Sequence, residues 1–247
     1  MPIVKTPHLP QNKVTHMIVP RNLDYNLEDA FAENGINLLK GDMIECITGD
    51  VKYHIDMQIA HIGGNMLVCE PQTLVHYQMI LQACNITAGG AVDSHYPGDC
   101  AYNVARVRGM VLCGKRTDHT VIAQMQSVGA SPVYIRQGYT KCCCAIVSSR
   151  TIITSDRGIY AACTANGIKA LLVSPGHVAL AGFDYGFIGG ACGKIAVDKL
   201  AFFGDLSTHP DAYEIEKFCA SQNVEAISLL KTELRDIGSV IPILETE

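Results

Sequence analysis

Apolar residues fall into short runs that recur along the chain. Met17-Ile18-Val19-Pro20, Met66-Leu67-Val68-Cys69, Met110-Val111-Leu112-Cys113, Thr151-Ile152-Ile153-Thr154 and Leu200-Ala201-Phe202-Phe203 are strand-length phrases. They lie roughly 40 to 50 residues apart, a period typical of repeat architectures. Each is followed by a polar turn with an acid: Asp24, Glu70, Asp118, Asp156 or Asp205. A helical stretch comes next. Leu27, Ala30 and Phe31 form the apolar stripe of the first helix. Ile122, Met125 and Val128 form that of the third, and Ile215, Phe218 and Cys219 that of the fifth. Gly35, Gly129 and Gly167 are placed to stop three of these helices. A second apolar strand is expected at 36–39, 133–135, 168–173 and 224–230, with Asn85-Ile86-Thr87 in that place in the second copy.

Between the copies lie segments rich in glycine and small or polar residues: the opening stretch, 96–104, 137–147 and 184–194. Each leads into the next strand phrase. The unit is therefore strand, strand, helix, strand, repeated about five times. No linker rich in proline, serine or charge divides the chain, so one domain over 1–247 is expected. Five such units can close into an α/β propeller, with linking strands lining a central channel and helices outside.

Two linking segments carry candidate chemistry. In 53–60, Tyr53, Ile55, Met57 and Ile59 alternate with His54, Asp56, Gln58 and Ala60. Period two predicts an inner strand. Met57 and Ile59 would face the helical layer, and His54 and Asp56 the channel. Read the same way, 138–144 puts Gly138, Thr140, Cys142 and Cys144 on one face and Tyr139, Lys141 and Cys143 on the other. The glycine- and threonine-bearing face is the expected channel side. Asp99 and Asn103 share a face in the segment before it, as channel-lining groups or, for Asn103, as a backbone hydrogen-bonding group.

Composition narrows the classes. The 247 residues are 48% hydrophobic and 17% charged, which suits a folded core. A net charge of -5 with scattered Lys and Arg argues against nucleic acid as partner. No apolar run approaches the roughly 18 residues that span a bilayer, and the first residues lack a signal pattern. A soluble, cytoplasmic protein is expected. The 11 cysteines read as buried thiols in a reducing compartment, since three are consecutive and the chain is too large to need disulfides. No Cys-x-x-Cys pair occurs, so no structural metal is expected. Gly189-Gly190 is not followed by a phosphate-loop pattern, and no cofactor is expected.

Five strand–strand–helix–strand units in one chain resemble the pentein fold, the α/β propeller of guanidino-group-modifying enzymes. His54-Ile55-Asp56, Tyr96-Pro97-Gly98-Asp99, Gly138-Tyr139-Thr140-Lys141-Cys142 and Gly186-Phe187-Ile188-Gly189-Gly190 look like a bacterial, largely clostridial, branch of that superfamily. The resemblance implies a cysteine-dependent hydrolase acting on a guanidine- or amidine-type small molecule. In deiminases a His-x-Asp element supplies a general acid/base and a guanidinium-binding carboxylate, with the nucleophilic cysteine two units later. On that pattern His54 and Cys142 are catalytic, and Asp56 binds substrate. Asp99 and Asn103 are further substrate-binding candidates, and Asp184 is a counterpart of another guanidinium-binding acid. Cys144 and Cys192, the latter just after Gly189-Gly190, are the alternative nucleophiles. The glutamate-containing glycine motif of deiminases has no counterpart here. The chain is also short for that group. Penteins of this length include the archaeal and eukaryotic translation initiation factor six, which binds the large ribosomal subunit and is not an enzyme. A non-catalytic pentein that binds a macromolecule or a small ligand is therefore the alternative.

Overall fold

The computed structural model describes residues 1–247. It contains five three-stranded sheets of one design. In each, a central strand pairs antiparallel with an inner strand and parallel with an outer strand reached through a helix. The central strands are β1 (Val14–Val19), β4 (Met66–Cys69), β7 (Met110–Gly114), β10 (Thr151–Thr154) and β13 (Lys199–Phe202). They coincide with the five apolar phrases. The outer strands are β2 (Asn37–Lys40), β5 (Asn85–Ala88), β8 (Ser131–Ile135), β11 (Lys169–Leu172) and β14 (Glu225–Ser228). The connecting helices are α1 (Tyr25–Glu33), α3 (Leu74–Ile80), α4 (His119–Ser127), α5 (Arg157–Ala165) and α6 (Ala212–Ala220).

The acid after each phrase is a helix cap. Asp24, Asp118 and Asp156 accept backbone N–H groups in the first turns of α1, α4 and α5. Glu70 and Asp205 do the same for the short 3-10 turns ahead of α3 and α6. A carboxylate there satisfies donors that a helix start leaves unpaired. Gly35, Gly129 and Gly167 follow the ends of α1, α4 and α5 at positive φ, as the sequence suggests.

The inner strands are β3 (Ile59–Gly63), β6 (Ala105–Val107), β9 (Ala145–Ser148), β12 (Cys192–Ala196) and β15 (Ile241–Glu245). The fifth corrects the reading of the opening stretch. The inner strand of the first unit comes from the C-terminus, and β15 pairs antiparallel with β1. The opening residues lie beyond it, with Val4 N–H donating to Ile243 C=O at 2.9 Å. Five hydrophobic clusters each join two successive units. One brings Met17, Leu27 and Phe31 of the first unit against Ala201 and Phe203 of the fifth, and so closes the ring. No helix is long and apolar enough to cross a membrane.

The linking segments are also corrected. Alternation over 53–60 predicts a strand, but residues Asp50–Tyr53 form a 3-10 turn and α2 (Ile55–Gln58) a single helical turn. Extended backbone begins only at Ile59. Every residue from His54 to Ala60 is buried, so there is no polar-out face. The buried Gln58 side chain explains the turn. Its carboxamide oxygen accepts from Asp42 N–H and from Tyr77 O–H at 2.6 Å, and its nitrogen donates to Asp42 C=O at 2.8 Å. Tertiary hydrogen bonds thus override the local period. Likewise, 139–144 is a turn, with Cys143 N–H donating to Tyr139 C=O and Cys144 N–H to Lys141 C=O. Asp99 lies in a turn as well. Asp99 and Asn103 therefore share no strand face, and neither do Cys142 and Cys144.

Candidate active site

Each inner strand is entered through a turn or short irregular segment. The turn before β3 carries His54 and Asp56, and that before β6 carries Asn103. The turn before β9 carries Lys141 and Cys142, and that before β12 carries Gly189 and Gly190. The turn before β15 carries Asp236 and Gly238. Three of them meet around one sulfur, and the turn of Asp236 lines the same small cavity. The Cys142 thiol donates to Asp56 Oδ2 at 2.8 Å. Asn103 Nδ2 donates to the same sulfur at 3.5 Å. A ring nitrogen of His54, a carboxylate oxygen of Asp56 and Cys142 Sγ lie within 4.8 Å of one another. All three residues are buried.

Asp236 is the group that sequence reasoning missed. It is buried; Oδ2 accepts from Phe187 N–H at 2.8 Å and Oδ1 from Gly238 N–H at 2.8 Å. The signal was present. Apolar residues 240–244 follow an Asp-Ile-Gly turn at the C-terminus, where the missing inner strand belongs. Two glycines make the approach possible. A Cβ on Gly190 would fall on the Asp236 carboxylate, and one on Gly238 would fall on the His54 ring. Gly238 also has φ of +76°, which disfavours other residues.

The other candidates separate. Asp99 does not reach the sulfur. Its Oδ2 accepts from Tyr139 O–H at 2.7 Å, and the Tyr139 ring lines the cavity at Cys142. Asp184 is exposed. Cys144 is buried with Ile146, Ile152 and Cys163, and Cys192 with Leu200 and Phe202. These two thiols fill apolar core, which is the ordinary place of a free cysteine.

Burial governs the electrostatics. It raises the Asp56 carboxyl to about 7, against partial relief from the Cys142 thiol and Lys141. Burial, reinforced by Asp56 and Asp236, pushes the Cys142 thiol well above its usual range. Burial lowers His54, with Asp236 and Asp50 opposing. The site thus holds a neutral thiol, a neutral imidazole and a carboxyl near its midpoint at neutral pH. Lys141 is buried, and its ammonium donates to Gly189 C=O at 3.0 Å. His54, Asp56 and Cys142 each offer one possible metal-ligand atom within 4.8 Å of the others, but the thiol proton is held on the sulfur and engaged by Asp56.

The cavity at Cys142 measures about 30 Å³, and Leu180 and Phe187 help to close it. That is the space of about one water. A cleft of about 170 Å³ adjoins it through His54, Leu180 and Asp236, and is also lined by Asp24, Asp50 and Arg235. Asp24 and Arg235 lie 3.8 Å apart, which leaves Asp50 and Asp236 as the acidic surplus along this route.

Solved structures share the whole architecture at low identity. An amidinotransferase of the saxitoxin biosynthetic pathway from Microseira wollei superposes with a TM-score of 0.63 at 7% identity, covering 99% of this chain and 98% of that one. Inosamine-phosphate amidinotransferase from Streptomyces griseus gives 0.57 at 9% identity, over 100% and 98%. The substrate-bound C315S agmatine deiminase from C. jejuni gives 0.57 at 8% identity, over 99% and 97%. The protein has the pentein fold that the repeat pattern suggests. No curated protein matches it in sequence. Residues 18–241 match a family of unknown function, DUF6873, and the chain belongs to that family.

Proposed function

We propose that the protein is a cysteine-dependent enzyme that hydrolyses a C–N bond of a small guanidinium or amidinium compound. The observation that carries this reading is the buried meeting of the Cys142 thiol with Asp56 at 2.8 Å, with a ring nitrogen of His54 within 4.8 Å. The pentein neighbours named amidinotransferase and deiminase support the substrate class.

A guanidinium carbon is a weak electrophile, so it needs a thiolate and a partner for charge. The acidic surplus along the cleft favours a cation. Asp56 and Asp236 would accept N–H bonds from the planar group. Its charge would also offset the two carboxylates that hold the thiol protonated. The thiol proton passes to His54, which burial keeps neutral and able to accept it. Sulfur bonds to the central carbon. The tetrahedral intermediate expels an amine, which takes the proton from His54, and an S-linked thiouronium remains. Water then gives a proton to His54 and attacks the same carbon. The C–S bond breaks, His54 returns its proton to the sulfur, the hydroxyl proton passes through water to the released amine, and a urea- or amide-type product leaves.

Chloroacetamidine, a cationic alkylating agent, tests the reading by mass mapping of the labelled cysteine. The release of ammonia or amine from a panel of guanidines, by wild type and Cys142→Ser, completes the test. The expected result is a label on Cys142, protection by a guanidine, and turnover lost in Cys142→Ser. No label on Cys142 together with unchanged turnover in the variant would move the nucleophile elsewhere, and no label with no turnover of any guanidine by wild type would replace the enzyme by a ligand-binding pentein.

A further inference from the structure

Asn103 ends the turn before β6 and is fully buried. Its carboxamide oxygen accepts from Lys141 N–H at 2.6 Å and from Cys142 N–H at 3.2 Å. With the oxygen committed to two donors, the amide has one orientation. Its NH2 then faces Cys142 Sγ at 3.5 Å and Met57 Sδ at 4.0 Å. The backbone around it is fixed as well. Asn103 N–H donates to Cys100 C=O at 3.1 Å, and Asn103 C=O accepts from Thr140 O–H at 2.6 Å.

We propose that Asn103 is a catalytic residue that donates a hydrogen bond to the Cys142 sulfur as it becomes a thiolate, rather than a substrate-binding group. This rests on the reading of Cys142 as the nucleophile. Asn103 is the one hydrogen-bond donor that reaches Sγ, whose other partner is the acceptor Asp56. The Lys141 ammonium, the nearest cation in sequence, is engaged by Gly189 C=O. A donor held in advance costs no reorganisation when charge develops, and its bond strengthens with that charge. The same side chain holds the N–H groups of residues 141 and 142, so the donor and the turn that presents the sulfur are one rigid unit.

The test is the pH dependence of Cys142 alkylation by chloroacetamidine, measured on the full chain as wild type and as Asn103→Asp. This substitution keeps the oxygen that accepts both backbone N–H groups and replaces the donor with an acceptor. The expected result is an upward move of the rate–pH midpoint by about one pH unit or more, equivalent to roughly a tenfold slower reaction below it. The kcat for the best guanidine should fall while KM changes little. Because the new carboxylate raises the thiol midpoint by its charge alone, as Asp56 and Asp236 do, the donor is judged on Asn103→Ser, which removes the NH2 without adding charge. If Asn103 only holds the turn, the Asn103→Ser profile stays where it is, and the proposal is overturned. A label mapping away from Cys142 in wild type overturns the nucleophile reading and this proposal together. A labelled Cys142 with unmoved profiles overturns this proposal alone.

Discussion

Cys142 and Asp56 are 86 residues apart, yet thiol and carboxylate meet in direct contact at 2.8 Å. Each arrives on a turn before an inner strand, two units apart in the ring. Burial sets both groups toward their protonated side, with the contact adding to this at Cys142 and opposing it at Asp56, so the resting site carries less charge than its residue types suggest.

Asp56 should make stability fall as pH rises. In the folded chain it holds its proton up to about 7, against 3.8 for an ordinary aspartate. Below about pH 4 both states are protonated and the group contributes no difference. Between about pH 4 and 7 the unfolded state is ionised while the folded state still holds its proton, so stability falls across that window, by roughly 4 kcal/mol at most, and levels off above it. Asp56→Asn removes this cost. Urea unfolding at pH 4.5 and pH 8 should find the variant gaining on wild type by a few kcal/mol between the two conditions. Turnover should drop in the same variant, since the acceptor for the cation loses its charge. A difference between variant and wild type that does not change with pH would mean that Asp56 ionises normally.

Cys144 and Cys192 are alternative nucleophiles by sequence and core residues by structure. Cys144→Ser and Cys192→Ser bury a hydroxyl among aliphatic side chains, at a cost of about 1–3 kcal/mol. Each should lower the unfolding midpoint while leaving the kcat of the folded fraction within about twofold. Cys142→Ser should do the reverse, with activity lost and the midpoint within a few degrees. Loss of turnover in Cys192→Ser with Cys142→Ser active would reverse the assignment.

The repeat was legible because each unit restates the same physics: an apolar central strand, an acid that caps the next helix, and a glycine that ends three of the helices. The meeting of His54, Asp56 and Cys142 was reachable by counting units. The alternation used to aim those side chains was not a sound guide. Over eight residues a period of two is easily imitated, and Gln58 binds its turn through partners at Asp42 and Tyr77 that lie far off in sequence. Asp236 escaped notice because its strand closes the ring from the C-terminus, so it lies outside the order in which the other four turns occur.

That closure is itself testable. β15 supplies the inner strand of the first unit, with Ile241 and Ile243 buried and Glu245 accepting the N–H of Asn12 at 2.8 Å. Ending the chain after Val240 would expose the edge of β1 and strip two large residues from the cluster between the first two units. Each such side chain contributes about 2–3 kcal/mol by burial, so the loss is comparable to the whole stability of an ordinary domain. Circular dichroism and proteolysis should find this truncated chain unfolded or molten. A well-folded product would mean that the opening residues replace β15 as the inner strand.

Gly190 gives the sharpest test of the Asp236 turn. Its N–H donates to Cys142 C=O at 2.9 Å, and its C=O accepts from Ile237 N–H at 3.1 Å, so one residue ties the nucleophile's turn to that of Asp236. A methyl group there would fall on the Asp236 carboxylate, whose two oxygens are already held by Phe187 and Gly238 N–H groups. The carboxylate can move only by giving up those bonds. Gly190→Ala should cost about 1–3 kcal/mol as an overpacked core does. It should also lower kcat, because Asp236 and the turn carrying Cys142 move together. Ala191→Gly, next to it and buried in the cluster between the last two units, serves as the control. It should cost about 1 kcal/mol by backbone entropy and lost packing and leave kcat nearly unchanged. Equal kinetic effects from the two substitutions would show that Asp236 does not act at the site.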